Sequence, residues 1–163
     1  MTQRAIVASG WLALAAATAL AAQDRRGTAP ALPFTVVEAT IHDMRQAMER
    51  GRVTSRELIV QSLTRIALYE DRLNAVITVN PKAIAEAEAR DRERAQGKAR
   101  GPLHGIPIAL KDNVHTTDMP TTGGALAFEG LVPPYEATLT RNLREAGGPP
   151  VRTPPSSPTA GSP

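Results

Sequence analysis

The chain contains no cysteine, which excludes a disulfide scaffold, a thiolate metal site and a cysteine nucleophile. Aromatic residues are scarce, with one Trp, two Tyr and two Phe in 163 positions, so the stacking platforms that hold single-stranded nucleic acid are lacking. Neither sign of charge dominates. Nineteen Lys and Arg face sixteen Asp and Glu for a net charge of +3, and so mild a balance does not by itself indicate nucleic acid as a partner. Gly-x-Gly-x-x-Gly and the phosphate-binding P-loop are both missing. The three histidines, His42, His104 and His115, lack the spacing of a helix-borne metal pair and read as isolated polar surface residues. Neither a metal nor a cofactor is expected. No nucleophile-elbow motif supports a Ser-His-Asp triad.

What is present suffices for one domain. Hydrophobic residues make up 42% and charged residues 21%, against a wholly disordered chain. Yet 27 residues are Ala, so bulky core material is thin. Arg4 precedes an uncharged, Ala-rich run from Ala5 to Ala22, and Ala19-Leu20-Ala21 fits a small-x-small cleavage site. This layout predicts a secretory signal peptide over 1–21, hence export to the periplasm or beyond, with no stable membrane association after cleavage. An uncleaved anchor is the rival reading, weakened by the shortage of bulky residues. Residues 22–35 read as a polar linker.

Helices and strands then alternate. Thr40-Ile41-His42-Asp43 resembles a capping box with Asp in place of Glu, and Thr54-Ser55-Arg56-Glu57 is a cleaner one. Behind the second box, Leu58, Ile59, Leu63, Ile66 and Leu68 form a helical stripe. Residues 75–79, AVITV, predict a strand. Residues 82–96 are rich in strong helix formers, and their charges read as a solvated face. A short apolar strand at 106–110 leads into Lys111-Asp112-Asn113, and Ala137 to Ala146 reads as a last helix. The alternation argues for an α/β class. From residue 147 the composition changes abruptly: of the last 17 residues, six are Pro, three Gly, three Ser and two Thr. That predicts a disordered Pro/Ser-rich tail over 148–163.

Chemistry points to one segment, residues 101–114, GPLHGIPIALKDNV. Lys111 ends an apolar strand there. A lysine desolvated in that position would favour its neutral form and could serve as a general base. A strand-end lysine is more often a surface residue or the ion-pair partner of a neighbour, here Asp112.

This segment, followed by Pro120-Thr121-Thr122-Gly123-Gly124, resembles the first motif region of the amidase signature family of serine hydrolases. The capped helices, the strand at 75–79, the charged helix and the helix at 137–146 follow the family's order, so the resemblance spans roughly residues 36–147. It implies an α/β fold with a mixed sheet flanked by helices, of which 36–147 would form an incomplete N-terminal part. It also implies hydrolysis of an amide C–N bond in a small-molecule substrate, without cofactor, through a Ser–cis-Ser–Lys triad. Lys111 corresponds to the family's catalytic lysine, which takes a proton from the nucleophilic serine through the bridging serine. The Gly/Ser-rich stretch that supplies both serines has no counterpart here. Ser156-Ser157 lacks the glycine context, and a shift of reading frame near Gly147 would account for the altered composition. The expectation is an amidase portion ending before its serines and inactive alone. The alternatives are a non-enzymatic fragment and a half complemented by another chain.

Overall fold

The computed structural model describes residues 32–153. The predicted signal peptide, most of the predicted linker and the pair Ser156-Ser157 lie outside the described residues.

Helix α1, Ile41–Glu49, starts at the first capping box. The Thr40 hydroxyl accepts from the Asp43 N–H at 3.1 Å, and the Asp43 carboxylate accepts from the Thr40 N–H at 3.0 Å. Helix α2, Ser55–Leu73, starts the same way at Thr54 and Glu57. Its next two donors, the N–H groups of Ser55 and Arg56, find a remote partner: the Asp91 carboxylate accepts both, at 2.7 and 3.0 Å. Four orphan N–H groups at a helix start need acceptors, and Asp91 supplies two of them from helix α3, Ala83–Ala95. The charged run of α3 is therefore more than the solvated face its composition suggests. Against α2 it packs Ala83 and Ala87, which are buried together with Ile59. Alanine at a helix contact shortens the interaxial distance.

A second core joins Ala47, Met48, Val53, Leu58 and Ile106, with Phe34, Val36, Met44 and Ile108 packed against it. The amide of Gln61 clamps the entering chain, donating to the Phe34 carbonyl at 3.1 Å and accepting from the Val36 N–H at 3.0 Å. The chain thus joins the fold at Phe34, inside the segment predicted as linker.

Among the described residues, three short strands form one sheet in the order β1-β3-β2: β1 Thr78–Val79, β2 Ile108–Ala109 and β3 Pro150–Thr153. Strand β1 runs antiparallel to β3, with Thr78 opposite Thr153. Strand β2 runs parallel to β3, with Ile108 opposite Pro150. The crossover between β2 and β3 includes helix α4, Thr138–Glu145. Strand β3 corrects the first part of the tail predicted as disordered over 148–163, and residues 154–163 lie outside the described residues. Gly148, Pro149 and Pro150 are buried, and β3 is the central strand. Proline is tolerated as the first residue of a strand, where the missing N–H costs no ladder bond. Here the carbonyls of both prolines are used: Pro149 accepts from the Ile108 N–H at 3.0 Å, and Pro150 from the Asn80 side-chain amide at 2.9 Å. The strand-forming stretches predicted at 75–79 and 106–110 each contract to two paired residues.

Candidate active site

Lys111 follows β2 after one intervening residue, Leu110, in a stretch whose burial alternates. Leu110 and Asp112 are buried, while Ala109, Lys111 and Asn113 are exposed. Side chains alternate across extended chain, so the inward placement of Leu110 and Asp112 sends Lys111 to the opposite face. The expected desolvation of Lys111 is not found: it sits on the solvent side because its two neighbours occupy the interior. Its carbonyl accepts from the Val114 N–H at 2.9 Å, closing a turn over 111–114.

Asp112 is fully buried, and among the described residues no ion pair joins it to Lys111. Its carboxylate instead accepts from the Thr122 N–H at 3.0 Å, from the Thr122 hydroxyl and from the Gly124 N–H at 3.2 Å. Those bonds draw the Thr121–Gly124 turn to the end of β2. Gly123 and Gly124 take φ of +60° and +79°, a region that glycine enters without a Cβ penalty. The sequence motif thus corresponds to a physical unit in which the Asp next to the lysine holds the Thr/Gly turn.

Neither serine among the described residues is free to act with Lys111. The Ser55 hydroxyl donates to the Gly105 carbonyl at 2.7 Å, and the Ser62 hydroxyl to the Leu58 carbonyl at 2.9 Å.

His104, expected at the surface, is buried. Its Nε2 lies 2.9 Å from the Arg90 carbonyl, and its Nδ1 accepts from the Arg100 N–H at 3.2 Å. That pair of partners corresponds to a neutral ring with its proton on Nε2. Burial, the largest cause, pushes the imidazole below its ordinary 6.5. The His104 carbonyl accepts from the Arg94 guanidinium at 2.8 Å. His115 is half-buried, edge-on to Tyr135 at 5.1 Å, and its carbonyl accepts from the Thr140 hydroxyl at 2.8 Å, anchoring α4. Arg144 of α4 reaches Asp118 at 2.6 Å and Glu136 at 2.8 Å. Among the described residues, no three His, Asp or Glu side chains gather closely enough to hold a metal ion. Among the same residues, no helix is long and apolar enough to cross a membrane.

An apolar cleft of about 320 Å³ opens beside β2, lined in part by Met44, Ile66, Tyr69, Leu73 and Ile108. Ala109 lines it, but Lys111 does not.

Comparison with known proteins bears on the family and the fold. The amidase family profile matches residues 57–153. The chain is 46% identical over 112 residues to a glutamyl-tRNA(Gln) amidotransferase subunit from Synechococcus sp. (strain CC9605), covering 68% of this chain and 23% of that one. Among solved structures, the native peptide amidase from Stenotrophomonas maltophilia superposes with a TM-score of 0.70 at 43% identity, covering 72% of this chain and 24% of the other. An amidase family protein from Bacillus anthracis gives 0.69 at 32% identity, with 73% and 24% covered. The chain therefore spans about a quarter of the length of the relatives it matches.

Proposed function

This chain belongs to the amidase family, and from that premise we propose that it contributes the lysine-bearing part of a site that hydrolyses amide C–N bonds. The observation that carries the reading is the unit formed by Lys111, Asp112 and the Thr121–Gly124 turn, which lies wholly inside the matched segment. In the reaction, the Lys111 amine takes the proton of a nucleophilic serine through a bridging serine. The serine oxygen attacks the amide carbon, and the departing amine recovers the proton from the lysine. Water then frees the acid from the acyl-serine. The chemistry needs no cofactor, and the substrate is a small-molecule amide.

A lysine is a base only as the free amine, which desolvation favours. Lys111 is exposed, so its face must be covered by the serine-bearing part of the site before it can work. The larger mixed sheet of the family would provide that cover, extending the three strands present here. The apolar run from Ala5 to Ala22 supports an exported setting.

A chimera tests the base. Residues 57–147 of this chain replace the matching segment of the Stenotrophomonas maltophilia peptide amidase, and hydrolysis of a peptide amide is followed. The chimera should be active, and Lys111→Ala should lower kcat by about 10²–10⁴-fold, the usual worth of a positioned general base. An active chimera indifferent to Lys111→Ala would remove Lys111 from the mechanism. The chain by itself should resist labelling by a fluorophosphonate.

A further inference from the structure

Asp112 is an unusual residue to bury. It is fully enclosed, and no cation faces it among the described residues. A buried carboxylate is costly unless hydrogen bonds replace its water. Here all the compensation comes from one short turn, through the Thr122 N–H, the Thr122 hydroxyl and the Gly124 N–H. An apolar residue at 112 would fill the space without the charge, so packing alone does not account for the carboxylate.

Its place in the chain suggests what it does. Lys111 stands between two inward-facing anchors, Leu110 in the core and Asp112 in the turn. Its own carbonyl is bonded to the Val114 N–H at 2.9 Å. We infer that Asp112 is a positioning residue for Lys111: by clamping the Thr122–Gly124 turn it fixes the backbone on the C-terminal side of the lysine, and so the direction in which the amine leaves the strand. A functional group held by rigid neighbours keeps its geometry without cost at the moment of reaction. The Thr122 hydroxyl has a double part, donating to Asp112 while accepting from the Gly124 N–H at 3.1 Å.

This inference rests on the reading of Lys111 as the base, and its test is made without activity, on the whole chain in solution. Amide hydrogen exchange is measured at Thr122, Gly124 and Val114, together with the heteronuclear NOE of Lys111, in the wild type, D112N, T122V and T122S. T122V keeps the charge at 112 and removes both bonds of the hydroxyl, its donation to Asp112 and its acceptance from the Gly124 N–H, so it separates geometry from electrostatics, and Val114 and Lys111, which the hydroxyl does not touch, carry the decision. Exchange at Gly124 and at Val114 should quicken by about tenfold in T122V, the usual scale for losing a hydrogen bond to a charged group. The Lys111 NOE should fall with it. T122S, which restores the hydroxyl, should return both to wild-type values, and D112N should exceed T122V. Protection within α2 reports that the fold is intact, and if D112N unfolds, T122V decides. Faster exchange at Gly124 with Val114 and Lys111 unchanged would overturn the inference, leaving Asp112 as a clamp for the turn alone. That failure would not touch the chimera experiment, and inactive chemistry at Lys111 would not touch the clamp.

Discussion

At the scale of single residues, acid attacks the segment between α3 and β2 in two steps. His104 is buried and neutral, and burial holds its pKa below the ordinary 6.5. Its stabilising contribution is complete above that value, where the unfolded ring is also neutral. It is lost as pH falls toward the lower folded value, because only the unfolded ring takes up a proton readily. Glu93 follows. The Arg100 guanidinium, first among its causes, and Arg90 hold its carboxyl from 4.5 down to about 2. Its contribution therefore disappears between those two values, again with falling pH. Denaturant midpoints measured from about pH 7.5 to about pH 5.5 should decline in the wild type. In His104→Gln, where nothing titrates at that position, the decline should be largely abolished, from a lower starting stability. An unchanged slope in the variant would mean that protonation of His104 does not govern this range.

At the scale of elements, the return of α4 to the sheet depends on two glycines. Gly147 has φ +88°, and a Cβ there would lie 2.8 Å from both Cα and Nδ1 of His104. At Gly148 a Cβ would meet Ile108 Cγ1 at 2.8 Å. The Gly147 carbonyl accepts from the Gly105 N–H at 2.9 Å, which joins the end of α4 to the start of β2. Gly147→Ala should cost at least about 2 kcal/mol in chemical denaturation, combining a left-handed backbone with overpacking. Gly97→Ala is the control. Its φ is +71° with nothing within 4 Å, so only the backbone penalty of about 1 kcal/mol applies. Equal losses at the two sites would show that the His104 contact relaxes freely. The same elements show what the sequence discloses. Both capping boxes are legible because donor and acceptor stand three residues apart. The cap supplied by Asp91 is not, since it bridges two helices through a residue that looks like any other charge in its run. Strand β3 is hidden by Pro150 and by Pro149 just before it, although both carbonyls are bonded and Pro150 takes the first position of the strand. Lys111 stands out in its motif, but its exposure follows from the burial of Leu110 and Asp112, a tertiary fact. The partner expected for Lys111 is instead occupied by Thr122 and Gly124.

At the scale of the whole molecule, the described segment running from the Thr121–Gly124 turn into α4 leaves many apolar side chains exposed. Leu126 is 83% exposed, Tyr135 61%, Leu139 53% and Phe128 52%, with Leu131 and Val132 nearly as open. Exposed apolar side chains this close in sequence predict association at high concentration. Sedimentation velocity should show a mean sedimentation coefficient that rises with concentration, and more steeply in sulfate, which strengthens apolar burial. Leu126→Ser combined with Phe128→Ser should flatten that dependence. Because both side chains already face solvent, the same double substitution should leave the denaturation midpoint within about 0.5 kcal/mol of wild type. A large loss of stability would assign these residues to the fold itself. Undiminished association would transfer it to another face, such as the apolar cleft beside β2, where Leu73 is also largely exposed.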